Sequence, residues 1–134
     1  MSKKHTIEVT DKQLELLSMA CEFTSRFICG QTGTFNWPYQ AMHNSVLDMN
    51  DPNWCQIRDV VDKHMDDVKK LVWNMEPNAQ YGVGFHPDSD TLWDMYTAMR
   101  HELWKLRNPN GSENFTVDSR PPMECGPEPL ISIK

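Results

Sequence analysis

Arg26 stands between Phe23 and Phe27, four residues ahead of Gly30, in a stretch that is otherwise largely apolar. A guanidinium in that company must find an acceptor, because a charge left unpaired inside a protein is expensive. Two chemistries meet the need. The stem can pack while the head caps the end of a helix, or the head can hold an anion in the fork geometry that suits carboxylate and phosphate. Gln31 follows at the same place, and Trp37 is near enough in sequence to fold back over it. A second group is Trp93, Arg100 and Trp104, whose spacings of seven and four put them on one helical face. An arginine over a tryptophan is a cation–π pair. Such a pair is either the edge of a core or a platform for a base with a cation for its phosphate. With His101 beside them and Arg120 in the tail, the candidate ligand-binding set is Arg26, Gln31, Trp37, Arg100, His101, Trp104 and Arg120.

The pattern offers less for catalysis. Tyr81-Gly82-Val83-Gly84 lacks the third glycine of a phosphate-cradling loop. His43, Cys55 and His64 are far apart, with no doublet of the kind a zinc site uses. No serine or cysteine elbow occurs, and Asp66 and Asp67, being adjacent, point in different directions on a helix. No catalytic residue, metal ligand or cofactor is expected, so the chain reads as a binding protein and not an enzyme.

The elements that must position these residues follow from periodicity and punctuation. Residues 5–9 alternate polar and apolar, as a short strand would. Thr10 with Gln13 forms a capping-box signature for a helix over 11–29, with Gly30 at its end. Leu14, Leu17, Cys21 and Ile28 mark one apolar line on it and Leu16, Ala20, Phe23 and Phe27 another, which implies burial around most of its girth. A loop over 31–40 leads to a short helix over 39–48. Asp51-Pro52 then starts a second long helix reaching residue 74, with Trp54, Ile57, Val61, Val68, Leu71, Val72 and Met75 inward and Lys69 among the wet residues. After a loop over 76–88 with an extended piece at 81–85, Ser89 caps a third long helix over 90–106. Four prolines forbid helix in the tail over 114–134, whose Phe115, Val117, Met123, Leu130 and Ile131 suit packing on the body or on a neighbouring subunit. The predicted architecture is mainly α: three long helices packed as a bundle, a short N-terminal strand and an extended proline-rich C-terminal arm, in one domain over 1–134.

Composition bounds the partners. A net charge of −6, with lysines and arginines scattered, is unsuited to long nucleic acid. No apolar run is long enough to span a membrane and no signal peptide is evident. The four cysteines include no C-x-x-C pair, which fits reduced thiols and a cytoplasmic setting.

Several segments resemble small uncharacterised proteins of tailed bacteriophages. The likeness is carried by Ile7-Glu8-Val9-Thr10, by Arg26 with Gly30-Gln31, by Tyr81-Gly82, by Arg100-His101-Glu102-Leu103-Trp104, and by Thr116-Val117-Asp118-Ser119-Arg120-Pro121-Pro122. The resemblance implies a phage accessory protein acting in the host cytoplasm. By analogy with anti-defence sponges, it implies a homo-oligomer that binds and sequesters a small anionic nucleotide signal, a cyclic nucleotide or an ADP-ribose derivative. The alternatives are a protein–protein inhibitor of a host defence enzyme, working through an acidic, aromatic surface, and a virion accessory protein.

Overall fold

The structure, a computed structural model, describes residues 3–35, 52–112 and 115–134. Three helices dominate them: α1 (Asp11–Ile28), α2 (Trp54–Trp73) and α3 (Pro87–Arg107). Single 3-10 turns occur at Thr32–Phe35 and Val117–Ser119. The mainly helical character read from the sequence is what the chain adopts. The short helix expected over 39–48, and the Asp51 cap, lie outside the described residues.

No strand occurs among the described residues. Residues 5–9, expected as one, are extended but exposed, and Ile7 and Val9 point largely to water. Alternation suits a strand only where a neighbouring edge supplies hydrogen bonds, and among the described residues no such edge faces this segment. The piece at 81–85 is likewise a turn, closed by the Phe85 N–H on the Gly82 carbonyl at 3.2 Å.

The helix starts show which local signals decide. At α1 the Gln13 N–H donates to Thr10 Oγ1 at 3.1 Å and the Thr10 N–H to Gln13 Oε1 at 2.8 Å, completing the capping box. Gly30 follows the end of α1 at φ 74°, where a Cβ would come 2.5 Å from Met75 Sδ. The third helix begins at Pro87 and not at residue 90, so Ser89 is not its cap. His86 takes that role, its Nδ1 accepting from the Asp88 N–H at 3.1 Å, while Pro87 supplies a pre-set φ at the first helical position.

The main packing is α1 against α3. Leu14 and Cys21 meet Met99 and Leu103 there, with Leu92, Met95 and Tyr96 partly buried around them. Between the N-terminal end of α3 and the last turns of α1, the buried contact is polar. Ser25 Oγ donates to the Ser89 carbonyl at 2.7 Å, Ser89 Oγ returns the bond to the Ser25 carbonyl at 2.9 Å, and Cys29 Sγ lies 2.9 Å from Ser89 Oγ. Small side chains let the backbones approach closely while every hydroxyl keeps a partner. The buried line of α1 is therefore Leu14, Ser18, Cys21 and Ser25, narrower than expected; Leu16, Leu17 and Ala20 are exposed because a single helix packs along α1.

The middle helix meets the others at one end. Trp73 Nε1 donates to the Ile28 carbonyl at 3.1 Å, and its ring meets Phe27 edge-on at 5.0 Å. Lys69, assigned to the wet face, is buried: its stem runs beside Gly30 and its Nζ donates to the Pro77 carbonyl at 2.9 Å. Leu71 and Val72, assigned to the apolar face, are instead exposed, Leu71 by 85%. Both differences have one cause. This helix docks by its last turn, so the side of that turn nearest Gly30 is buried whatever its polarity.

Residues after 115 complete the cover of α3. The Cys125 N–H donates to the Asp94 carboxylate at 2.7 and 2.8 Å, and the Gly126 N–H donates to it at 2.7 Å. Thr97 Oγ1 donates to the Asp94 carbonyl at 3.0 Å and accepts from the Met123 N–H at 3.0 Å. Asp94 is 3% exposed, so these charge-assisted bonds replace its water. Beyond them Ile131 and Ile133 pack on the Leu14–Met99 cluster. Gly126 is the tightest point: a Cβ there would stand 2.7 Å from the Thr91 N and Oγ1.

Two substitutions test this clamp. Asp94→Asn keeps the shape but replaces an acceptor with a donor, and Gly126→Ala forces the tail off α3. Each is expected to cost about 1–3 kcal/mol, read as a lower urea midpoint; a midpoint within error of the parent for both would show that the tail contributes nothing to stability.

Candidate functional site

The two arginines singled out by the sequence lie along one seam between α1 and α3, but each is engaged differently. Arg26, in the last turn of α1, donates from Nε and Nη2 to Glu22 Oε1 at 3.2 Å each, and from Nη1 to Gln31 Oε1 at 2.9 Å. Its guanidinium also lies 4.9 Å from the centre of the Trp93 ring. Gln31 Nε2 then donates to the Tyr81 carbonyl at 2.7 Å. Arg26 and Gln31 thus form a brace that ties the end of α1 to α3 and to the loop before it. Glu22 could have been found from sequence, since it stands one helical turn before Arg26.

From Trp93 the seam continues to Tyr96, their rings 5.1 Å apart, and then to Arg100. Arg100 lies over the Tyr96 ring at 5.0 Å and its Nη1 donates to the Tyr96 hydroxyl at 3.3 Å. The stacking partner of Arg100 is therefore Tyr96, one turn before it on α3, while Trp93 receives Arg26. His101 and Trp104 pair with each other, rings stacked at 6.0 Å. Arg120 is exposed just beyond the second 3-10 turn. Trp37 lies outside the described residues. The structure brings Arg26 and Gln31 into contact, links Arg26 to Arg100 through two aromatic rings, and joins His101 to Trp104.

Around Arg100 the surface forms an open groove of about 170 Å³, walled by Glu15 and Glu22 of α1, Tyr96, Arg100 and Arg107 of α3, and Asp118 of the second 3-10 turn. The Arg100 side chain is only 13% exposed and its Nε is buried without a hydrogen-bond partner. Asp118 Oδ1 stands 3.8 Å from that Nε, an ion pair but beyond hydrogen-bond range. The carboxylates have partners of their own: Glu15 pairs with Lys12 at 3.1 Å, Glu22 with Arg26, and Asp118 with Arg100. Arg107 pairs with no carboxylate among the described residues. With Lys12 and Arg26 included, four cationic groups face three carboxylates. Tyr96 and Asp118 were not expected. Tyr96 was legible as a one-turn neighbour of Arg100; Asp118 depends on the path of the tail, which no local pattern fixes.

Burial pushes the Tyr96 phenol up, with the Arg100 hydrogen bond acting against it, so the phenol stays protonated near neutral pH. The Cys21 thiol is also raised by burial, and Cys125 by loss of water and then by the Asp94 charge beside it. Protonated thiols are weak nucleophiles. Among the described residues no group of histidine, cysteine and acidic side chains converges as metal ligands. The arrangement can hold an anion.

Two outcomes check these assignments. Arg26→Ala is expected to lower stability by about 1–2 kcal/mol, since it removes a partly buried ion pair and a cation–π contact; an unchanged melting temperature would show the brace to be idle. Iodoacetamide near neutral pH is expected to label the exposed Cys55 first, Cys125 more slowly, and the buried Cys21 and Cys29 only after denaturant is added. Mass spectrometry of timed aliquots reads the order, and early labelling of Cys125 would contradict its raised pKa.

The chain matches no protein-family model, no curated protein and no solved structure.

Proposed function

We propose that this chain is a non-catalytic binding protein that takes the anionic group of a small ligand into the groove beside Arg100. The observation that carries this reading is the buried Arg100 Nε, which faces Asp118 at 3.8 Å and has no hydrogen-bond partner. Buried donors in folded proteins are almost always satisfied, so an unmet one beside an open groove calls for a water or a ligand oxygen. A guanidinium over an aromatic ring, with a second arginine on the rim, suits a phosphate whose attached base or sugar lies against the ring.

The nucleotide-derived immune signal remains the ligand class we favour. The size of the groove refines it. Pockets that enclose a whole drug-sized ligand run to roughly 300–1,000 Å³, so about 170 Å³ accommodates one phosphate and part of what it carries. The rest of a nucleotide would have to be covered by a second copy, which is where the expectation of a homo-oligomer enters. Arg26 no longer belongs to the ligand set in this reading, because each of its three guanidinium nitrogens already donates to Glu22 or Gln31.

A panel of cyclic nucleotides and ADP-ribose derivatives, screened by thermal shift, tests the proposal by mass action. At least one compound is expected to raise the melting temperature, and Arg100→Ala to weaken its binding roughly ten- to a hundredfold. Arg26→Ala should lower the melting temperature while leaving the ligand-induced shift in place. No shift with any compound, or a shift that Arg100→Ala leaves intact, would overturn the assignment.

A further inference from the structure

Residues 81–88 are all exposed, yet their backbone is anchored at both ends of the turn. The Tyr81 N–H donates to the Cys29 carbonyl at 2.9 Å and the Tyr81 carbonyl accepts from Gln31 Nε2 at 2.7 Å. The Phe85 N–H closes on Gly82, and the Gly84 N–H donates to both oxygens of the Asp90 carboxylate, at 3.0 and 3.1 Å. Gly84 has φ 91°, which suits glycine alone in that turn. The Tyr81 N–H and carbonyl, the Gly84 N–H and the Phe85 N–H are thus bonded within the molecule, while the apolar side chains of Tyr81, Val83 and Phe85 stay about half exposed. The Tyr81 and Phe85 rings stack on each other at 4.5 Å and 13°, and Val83, 60% exposed, stands between them in sequence. Leu71 and Val72, also exposed, lie in the last turn of α2, whose Trp73 is bonded to the Ile28 carbonyl, next in sequence to the Cys29 carbonyl that holds Tyr81.

Loops that merely connect elements are polar. An exposed loop whose backbone is held by these bonds and whose aromatic rings stack at the surface has the make-up of an interface anchor, and its fixed shape removes much of the ordering cost of binding. Charge narrows the partner. Of the acidic groups beside the loop, Glu76 is paired with Lys70 and Asp90 is taken up by the Gly84 N–H, whereas the exposed Asp88 pairs with no described cation, and the whole chain carries −6. An anionic lipid surface or a nucleic acid would repel it. We propose that the Tyr81–Phe85 turn is a docking loop for a protein partner, inserted into an apolar pocket with a basic rim.

A yeast-displayed random peptide library selected on the full chain tests this. Enriched peptides are expected to combine aliphatic or aromatic residues with lysine or arginine. Their binding should fall about tenfold or more on Val83→Asp and on Phe85→Ala, and be unchanged on Arg100→Ala. Val83→Asp should keep the parent melting temperature, since Val83 is largely exposed, and Phe85→Ala, which gives up the stack on Tyr81, should lower it only slightly. Failure to enrich any peptide, or enrichment indifferent to both loop variants, would overturn the proposal. So would binding of phosphatidylglycerol vesicles lost on Val83→Asp, which would assign the loop to lipid, or self-association lost on the same variant, which would assign it to a second copy.

Discussion

A carboxylate that is nearly excluded from water must be given donors, and Asp94 receives three contacts from two consecutive backbone N–H groups thirty residues downstream. Much of the molecule follows from that requirement. The third helix has one long helix against it, so a large part of its surface would otherwise lie open. Asp94 and Thr97 draw residues 123–126 across it, and Gly126 permits the close approach. The course set there carries Ile131 and Ile133 to the Leu14–Met99 cluster, and leaves Asp118 beside Arg100. The groove is thus a product of how the tail is held.

The seam shows how a row of charges can be carried on a largely apolar interface. Glu22, Arg26, Trp93, Tyr96 and Arg100 alternate acid, cation and ring, so that each guanidinium has a π-face and an anion within reach. Arg26 meets its full geometry and becomes a strut. Arg100 falls short by one bond, and the difference between structure and site at these two positions is that single unmet donor.

What could be read from the sequence was local. Thr10 and Gln13 announce the start of α1, and Gly30 its end. Wherever the outcome hung on which element lies opposite, the reading faltered. The apolar residues at 16, 17 and 20 look buried until it is known that one helix covers α1. Lys69 and Leu71 change places because α2 docks by an end and not by its length. For the candidate site, Arg100 stood out as a cation on an apolar helix, and Tyr96 was one turn away. Asp118 and the groove needed the route of the tail, which is fixed by Asp94, a residue that looks like any surface acid in sequence.

The position of the Asp94 donors also bears on how the chain is made. Synthesis is vectorial, and α1 and α3 can pair as soon as residue 107 has emerged. Until residues 125 and 126 are free to reach it, the Asp94 carboxylate keeps its water and that side of α3 stays open. Ile131 and Ile133 pack on the cluster that holds Leu14, more than a hundred residues away in sequence. For a helical protein this is a long-range closure, and such closures slow folding. A chain held before that point would carry a complete α3 with its Asp94 side wet and part of the Leu14–Met99 cluster uncovered.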